Sequence, residues 1–130
     1  MTAQDNVIAV VDDSEIIREA LDHLLVSAGY RTELYASAEE FLRAAPATRA
    51  ACLVTDVELG GTSGPQLLRE LSARGLHFPA IMMSGSGDPA LPGLATKLGC
   101  LAFLPKPFAP ANLLDVLART LAPAATDLAA

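Results

Sequence analysis

Two hydrophobic periods alternate along this chain. Short, largely apolar runs occur at Val7-Ile8-Ala9-Val10-Val11, Ala51-Cys52-Leu53-Val54-Thr55, Ala80-Ile81-Met82-Met83 and Leu101-Ala102-Phe103-Leu104. Runs this short and unbroken read as strands buried on both faces. Between them apolar residues recur at helical spacing. Ile17, Leu21, Leu24, Leu25 and Ala28 form one stripe, closed by Gly29. Leu67, Leu68 and Leu71 form another, closed by Gly75, and Leu113, Leu114, Leu117 and Leu121 a third, opened by Pro110. Arg31 to Tyr35 alternates and reads as a partly exposed strand. Ser37-Ala38-Glu39-Glu40 fits a capping box for a helix carrying Phe41 and Leu42 that ends by Pro46, and Ser63 or Gly64 caps the helix that has Pro65 at its first position.

The stretch from Asp88 to Leu98 breaks the pattern. Alternation calls for a helix, but Pro89, Pro92 and Gly93 oppose it, since an interior proline costs about 3 kcal/mol and glycine about 1 kcal/mol. The expectation is a shortened helix from near Pro92, or an irregular loop and a turn or two. The resulting order, βαβαβαβ(α)βα, implies an α/β fold: a doubly wound five-stranded parallel sheet covered by helices on both sides.

The ends of the strands carry the chemistry. Asp12-Asp13 follow the first run, Asp56 the third strand, Ser84 the fourth and Lys106 the fifth. In doubly wound sheets functional groups gather beyond the carboxyl ends of the strands. A lone Asp at a strand end is more often a cap or turn former; five such groups on one edge argue for a site. Crowded carboxylates repel one another, and a divalent cation relieves the conflict. Mg2+ suits an oxygen-only set that also meets phosphate. Asp56 could then act as a nucleophile toward phosphorus, with Ser84 donating to a phosphoryl oxygen and Lys106 balancing charge. A cis Lys106-Pro107 bond would aim the ammonium back toward Asp56.

Composition narrows the classes. At 130 residues with 52% hydrophobic content, one domain can bury a core without staples. The net charge of −6 and the lack of a basic run argue against direct nucleic-acid binding. No apolar stretch has the roughly 20 residues of a membrane span, and no signal peptide is evident, so no membrane role and a cytoplasmic location are expected. Cys52 and Cys100 read as buried structural thiols, and His23 and His77 lack partners at zinc-ligand spacing.

The strand-end residues, with Lys106-Pro107-Phe108, resemble the receiver domain of two-component response regulators over Val7 to about Leu121. Ala28-Gly29-Tyr30, Tyr35-Ala36-Ser37-Ala38-Glu39-Glu40-Phe41 and Ser84-Gly85-Ser86-Gly87-Asp88 resemble its FixJ-type branch. The resemblance implies the flavodoxin/CheY-like strand order 2-1-3-4-5. It also implies a phosphoacceptor at Asp56, and Mg2+ on Asp13, Asp56 and the backbone carbonyl of Glu58, with Asp12 acting largely through water. Lys106 would pair with the phosphoryl group, and Ser84 and Phe103 would form a switch pair. Glu58 and Ser86 would tune acyl-phosphate lifetime. The donor would be a sensor histidine kinase or histidine phosphotransfer protein, and Ile16, Ala20 and His23 are expected to help choose it. Such a domain is regulatory, catalysing only its own phosphorylation and dephosphorylation.

Three departures from the family pattern stand out: Leu59-Gly60-Gly61 after the phosphoacceptor, with Gly60 expected to loosen the loop; Ala102 before the switch aromatic; and the prolines of the fourth helix, which put the usual output face in question. The receiver domain is expected over 1–122, with a flexible tail or the start of a linker at 123–130. Both a single-domain regulator acting on an unknown downstream protein and the receiver of a longer regulator, its effector domain missing, fit that tail. A phosphate-independent interaction module is the competing class; a hydrolase using Asp56 is disfavoured by the small loops.

Overall fold

The computed structural model describes residues 6–121, so the expected boundary at 122/123 lies outside the described residues. Ten elements alternate: β1 (Val7–Val11), α1 (Glu15–Ser27), β2 (Arg31–Tyr35), α2 (Ala38–Ala44), β3 (Ala50–Asp56), α3 (Gly64–Ala73), β4 (Ala80–Ser84), α4 (Leu91–Lys97), β5 (Ala102–Pro105) and α5 (Pro110–Leu121). The strands form one parallel sheet in the order β2-β1-β3-β4-β5. Strand order reverses between β1 and β3, so Asp12 and Asp56 flank the switch point.

Strand side chains alternate between two cores. Ile8, Val10, Cys52, Val54, Ile81 and Met83 point to the side covered by Leu21 and Leu25 of α1 and Leu113 and Leu117 of α5. Ala9, Val11 and Leu53 point to the other, against Phe41 of α2 and Leu67 and Leu71 of α3. Met82 continues that side toward Leu91 and Ala95 of α4. Both faces of β1, β3 and β4 are thus dry, as their unbroken apolar runs require.

Helix ends follow the local chemistry. Ser14 caps α1, Ser37 caps α2, and Ser63 with Gln66 forms a reciprocal capping box on α3. Gly64, not Pro65, is the first residue of α3; Pro65 is the second. In α2 the return bond from Glu40 goes to the Ala36 N–H, one residue before the cap. Ala28, expected on the buried stripe of α1, is exposed, because the helix has ended and Ala28 is its C-cap. The fourth helix is short, seven residues beginning at Leu91. Pro92 and Gly93 fall in its first turn, where a missing N–H costs nothing. No side chain caps the helix; Asp88 braces the turn before it, its carboxylate accepting from the Ala90 N–H at 2.9 Å and its carbonyl from the Leu91 N–H at 3.2 Å. Cys52 and Cys100 are free thiols. Cys52 is fully buried and Cys100 half-buried, and burial pushes their pKa values up to about 12 and about 11.

Candidate functional site

Backbone bonds lock the carboxyl ends of the strands together. The Asp12 N–H donates to the Tyr35 carbonyl, Val57 N–H to Met83, and Lys106 N–H to Ser84 at 2.7 Å. These bonds fix where each strand-end side chain starts. The register Val11↔Thr55 then sets Asp12 beside Asp56. Gly64 closes the space behind them. A Cβ there would lie 2.3 Å from the Asp56 carbonyl oxygen, so only glycine lets the start of α3 press against the end of β3.

The expected groups meet at this edge. Asp12, Asp13 and Asp56 each offer a carboxylate oxygen within 4.8 Å of the others. Asp12 and Asp56 are buried and Asp13 is exposed. The Lys106–Pro107 peptide is cis. The Lys106 ammonium lies 2.9 Å from Asp12 Oδ2 and 3.2 Å from Asp56 Oδ2. Asp12 is therefore held directly by Lys106. It also accepts from the Ser14 N–H, and Arg18 donates to its backbone carbonyl. Asp56 Oδ1 is buried with no hydrogen-bond partner.

Burial raises the Asp56 carboxyl above its ordinary value; Lys106 opposes the shift, and the Asp12 and Glu58 charges add to it. For Lys106, burial by itself favours the neutral amine, but the hydrogen bond and charge of Asp12, reinforced by Asp56, hold the ammonium above its usual range. Three acids and one cation leave excess negative charge around an acceptor oxygen that has no donor. That donor set fits a hard divalent cation.

Ser84 is fully buried. Its hydroxyl accepts from the Ser86 N–H at 2.9 Å and lies 2.8 Å from both carboxylate oxygens of Glu58. Phe103 is half-buried and packs with the cluster of Val57, Met82, Leu91 and Ala95. Ile16, Ala20 and His23 are all exposed on α1, Ile16 at 79%. Ala20 also lines an apolar groove of about 490 Å³ between α1 and the segment after β5, shared with Ile17, Leu24, Pro107, Phe108 and Pro110. The resemblance placed Glu58 near the phosphate but gave no sign that its carboxylate would take the Ser84 hydroxyl, and the roles of Glu39 and Arg18 and the close approach at Gly64 were not legible at all, because each depends on which loop lies beside it.

Comparison with known proteins decides the family. The family model described as response regulator receiver domain matches residues 8–118. This chain belongs to the response regulator receiver domain family. The receiver domain is 43% identical to the transcriptional regulatory protein FixJ of Azorhizobium caulinodans over 112 residues, covering 86% of this chain and 53% of that protein. FixJ of Bradyrhizobium diazoefficiens is 42% identical over 101 residues, covering 78% of this chain and 49% of that protein. The chain thus spans about half the length of the curated relatives it matches. Among solved structures, the crystal structure of FixJ-N superposes with a TM-score of 0.84 at 34% identity, covering 92% of this chain and 95% of that one. The chemotaxis protein CheY4 of Vibrio cholerae gives 0.80 at 28% identity, covering 88% and 98%. The receiver domain is therefore a FixJ-type module of two-component signalling, a regulatory class whose members take phosphate from histidine kinases and use Mg2+ at an acidic pocket. Among the described residues, no helix is long and apolar enough to cross a membrane.

Proposed function

We propose that this receiver domain is a phosphoacceptor switch, taking a phosphoryl group onto Asp56 from a phosphohistidine of a sensor kinase or phosphotransfer protein and changing partner binding as a result. The observation that carries this reading is the Asp56 carboxylate itself. One oxygen is held by Lys106, the other is buried without a partner, and the carboxylate is grouped with those of Asp12 and Asp13.

A carboxylate oxygen of Asp56 attacks phosphorus; the O–P bond forms as the P–N bond breaks, and its electron pair returns to the imidazole of the donor. Lys106 fixes the carboxylate and balances charge on the transferring group. Ser84, released from Glu58, donates to a phosphoryl oxygen, and Phe103 turns inward behind it. Asp12, Asp13, Asp56 and the Glu58 backbone carbonyl would hold Mg2+, which when bound neutralises the acidic cluster and polarises a phosphoryl oxygen. The added negative charge then biases the loops around Ser84. Loss of the phosphoryl group to water resets the switch, and Glu58 and Ser86 set its lifetime. The domain spans 1–122, and the donor protein docks on Ile16, Ala20 and His23 beside the apolar groove.

Intact mass after incubation with Mg2+ and acetyl phosphate tests the reading. The wild type is expected to gain one phosphoryl group, chelation to prevent the gain, and Asp56→Asn to abolish it. A wild type that stays unmodified would leave the phosphate-independent interaction module standing. Steady turnover of a phosphomonoester would point to a hydrolase instead.

A further inference from the structure

The loop between β3 and α3 holds two successive glycines, Gly60 and Gly61, in the stretch that also supplies the Glu58 carbonyl. Glycines offer no side chain for anchoring and lose the most backbone freedom when ordered. Leu59 is tied to the core beneath α2 and α3, and Ser63 is fixed by its capping box. The glycine pair between them needs another support.

Glu39 supplies one from a different element. Its Oε2 accepts from the Thr62 N–H at 3.1 Å and from the Thr62 hydroxyl at 2.8 Å. A Cβ on Gly61 would lie 3.0 Å from the same oxygen, so the loop backbone rests directly on this carboxylate. A Cβ on Gly60 would lie 3.6 Å from Asp13 Oδ2. The glycine pair, itself exposed, thus passes the Glu39 carboxylate at Gly61 and Asp13 of the acidic cluster at Gly60. Capping of α2 is handled by Ser37 and Glu40, which leaves Glu39 to reach outward. The hydrogen bond from the Thr62 hydroxyl holds the Glu39 carboxyl below its ordinary value, so the charged form is the bound form.

We propose that Glu39 is a positioning residue which clamps the 58–62 loop against Asp13 through Thr62 and thereby sets how tightly the site takes Mg2+. The inference rests on the phosphoacceptor reading above. It assigns to an exposed residue on α2 the rigidity that the sequence of the loop lacks.

Calorimetric titration of the full chain with MgCl2 tests it. Glu39→Ala is expected to weaken Mg2+ binding roughly three- to tenfold, the scale of lost hydrogen bonds. Glu39→Gln keeps a carbonyl oxygen for both Thr62 donors and is expected to stay within about twofold of wild type. Thr62→Val removes one donor and falls between, and the double variant Glu39→Ala/Thr62→Val is no weaker than Glu39→Ala alone, since both act on one contact. Hydrogen exchange at Gly60, Gly61 and Thr62 quickens in Glu39→Ala and not in Glu39→Gln, while urea midpoints stay close to wild type. Unchanged affinity in Glu39→Ala overturns the clamp. So does equal weakening in Glu39→Gln, which would trace the effect to charge at a distance. If the wild type itself gives no Mg2+ binding, the phosphoacceptor reading falls and the clamp with it; wild-type binding with an indifferent Glu39→Ala removes the clamp alone.

Discussion

The Ser84 hydroxyl lies 2.8 Å from each carboxylate oxygen of Glu58. One proton serves one acceptor at a time, so in this state the hydroxyl is committed to Glu58 and unavailable to a phosphoryl group. The same carboxylate adds negative charge beside Asp56. Glu58→Ala removes both obstacles and leaves the backbone carbonyl in place. It is expected to speed phosphorylation by acetyl phosphate roughly two- to tenfold, the range for a hydrogen bond of moderate strength. Stopped time points read by mass give the rate; an equal or slower rate in the variant would remove Glu58 as a brake.

Gly64 is required by contact, not by backbone angle. A methyl group there would meet the Asp56 carbonyl oxygen at 2.3 Å and the Val57 Cα at 3.1 Å. Neither is the end of a flexible side chain, so β3 and α3 must separate. Gly64→Ala is expected to cost about 1–3 kcal/mol, the usual scale of overpacking, and to slow phosphorylation of Asp56. Urea denaturation reads the first effect and mass the second. A variant as stable as wild type would mean the strand end yields freely.

Asp56 carries a stability cost in the absence of metal. Burial and the neighbouring acids raise its carboxyl above the ordinary value. The folded protein therefore holds that proton more tightly than the unfolded chain does, so the penalty of the charged form is present at neutral pH and relieved as pH falls through the raised value. Asp56→Asn, which cannot ionise, is expected to unfold at higher urea than wild type in EDTA at neutral pH, with the gap shrinking in acid. Saturating Mg2+ stabilises the wild type by about 2.7 kcal/mol at a hundredfold excess over Kd and the variant by less. A variant weaker than wild type in EDTA would show that the Lys106 pair outweighs the repulsion.

The proposed docking surface on α1 can be tested apart from the chemistry. Ile16, Ala20 and His23 are exposed, and none is a member of the acidic cluster of Asp12, Asp13 and Asp56. Replacing Ile16 or Ala20 by Asp is expected to slow transfer from the cognate kinase at least about tenfold, in line with loss of a buried interface anchor, while labelling by acetyl phosphate stays near wild type. Equal losses with both donors would place the damage in the site rather than on a partner surface.

Much of this molecule is legible in one dimension because its signals are periodic or local. Unbroken apolar runs at Val7–Val11 and Ala80–Met83 read as covered strands and are so. The similar run at Leu101–Leu104 gives the edge strand β5, with Ala102 and Phe103 half-buried and Leu101 exposed just before it, because edge position is set by strand order. Ser37 and Ser63 mark helix starts through bonds made three residues away, and Pro92 falls where a short helix begins. Alternation with short connections then leads to the parallel sheet and brings Asp12, Asp13, Asp56, Ser84 and Lys106 to one edge.

Contacts between loops are a different matter, since nothing in the local pattern says which loop lies beside which. That Glu39 of α2 holds Thr62, that Glu58 takes the Ser84 hydroxyl across 26 residues, and that Gly64 touches the Asp56 carbonyl were decided only when the elements packed. Ala28 follows the same rule: its spacing matched the buried stripe, but the helix stopped one residue earlier and left it in solvent. The linear pattern determined which groups reach the sheet edge, because hydrophobic periodicity sets the elements and their order. Tertiary packing decided how those groups are held, because exposed polar side chains choose partners by distance in space.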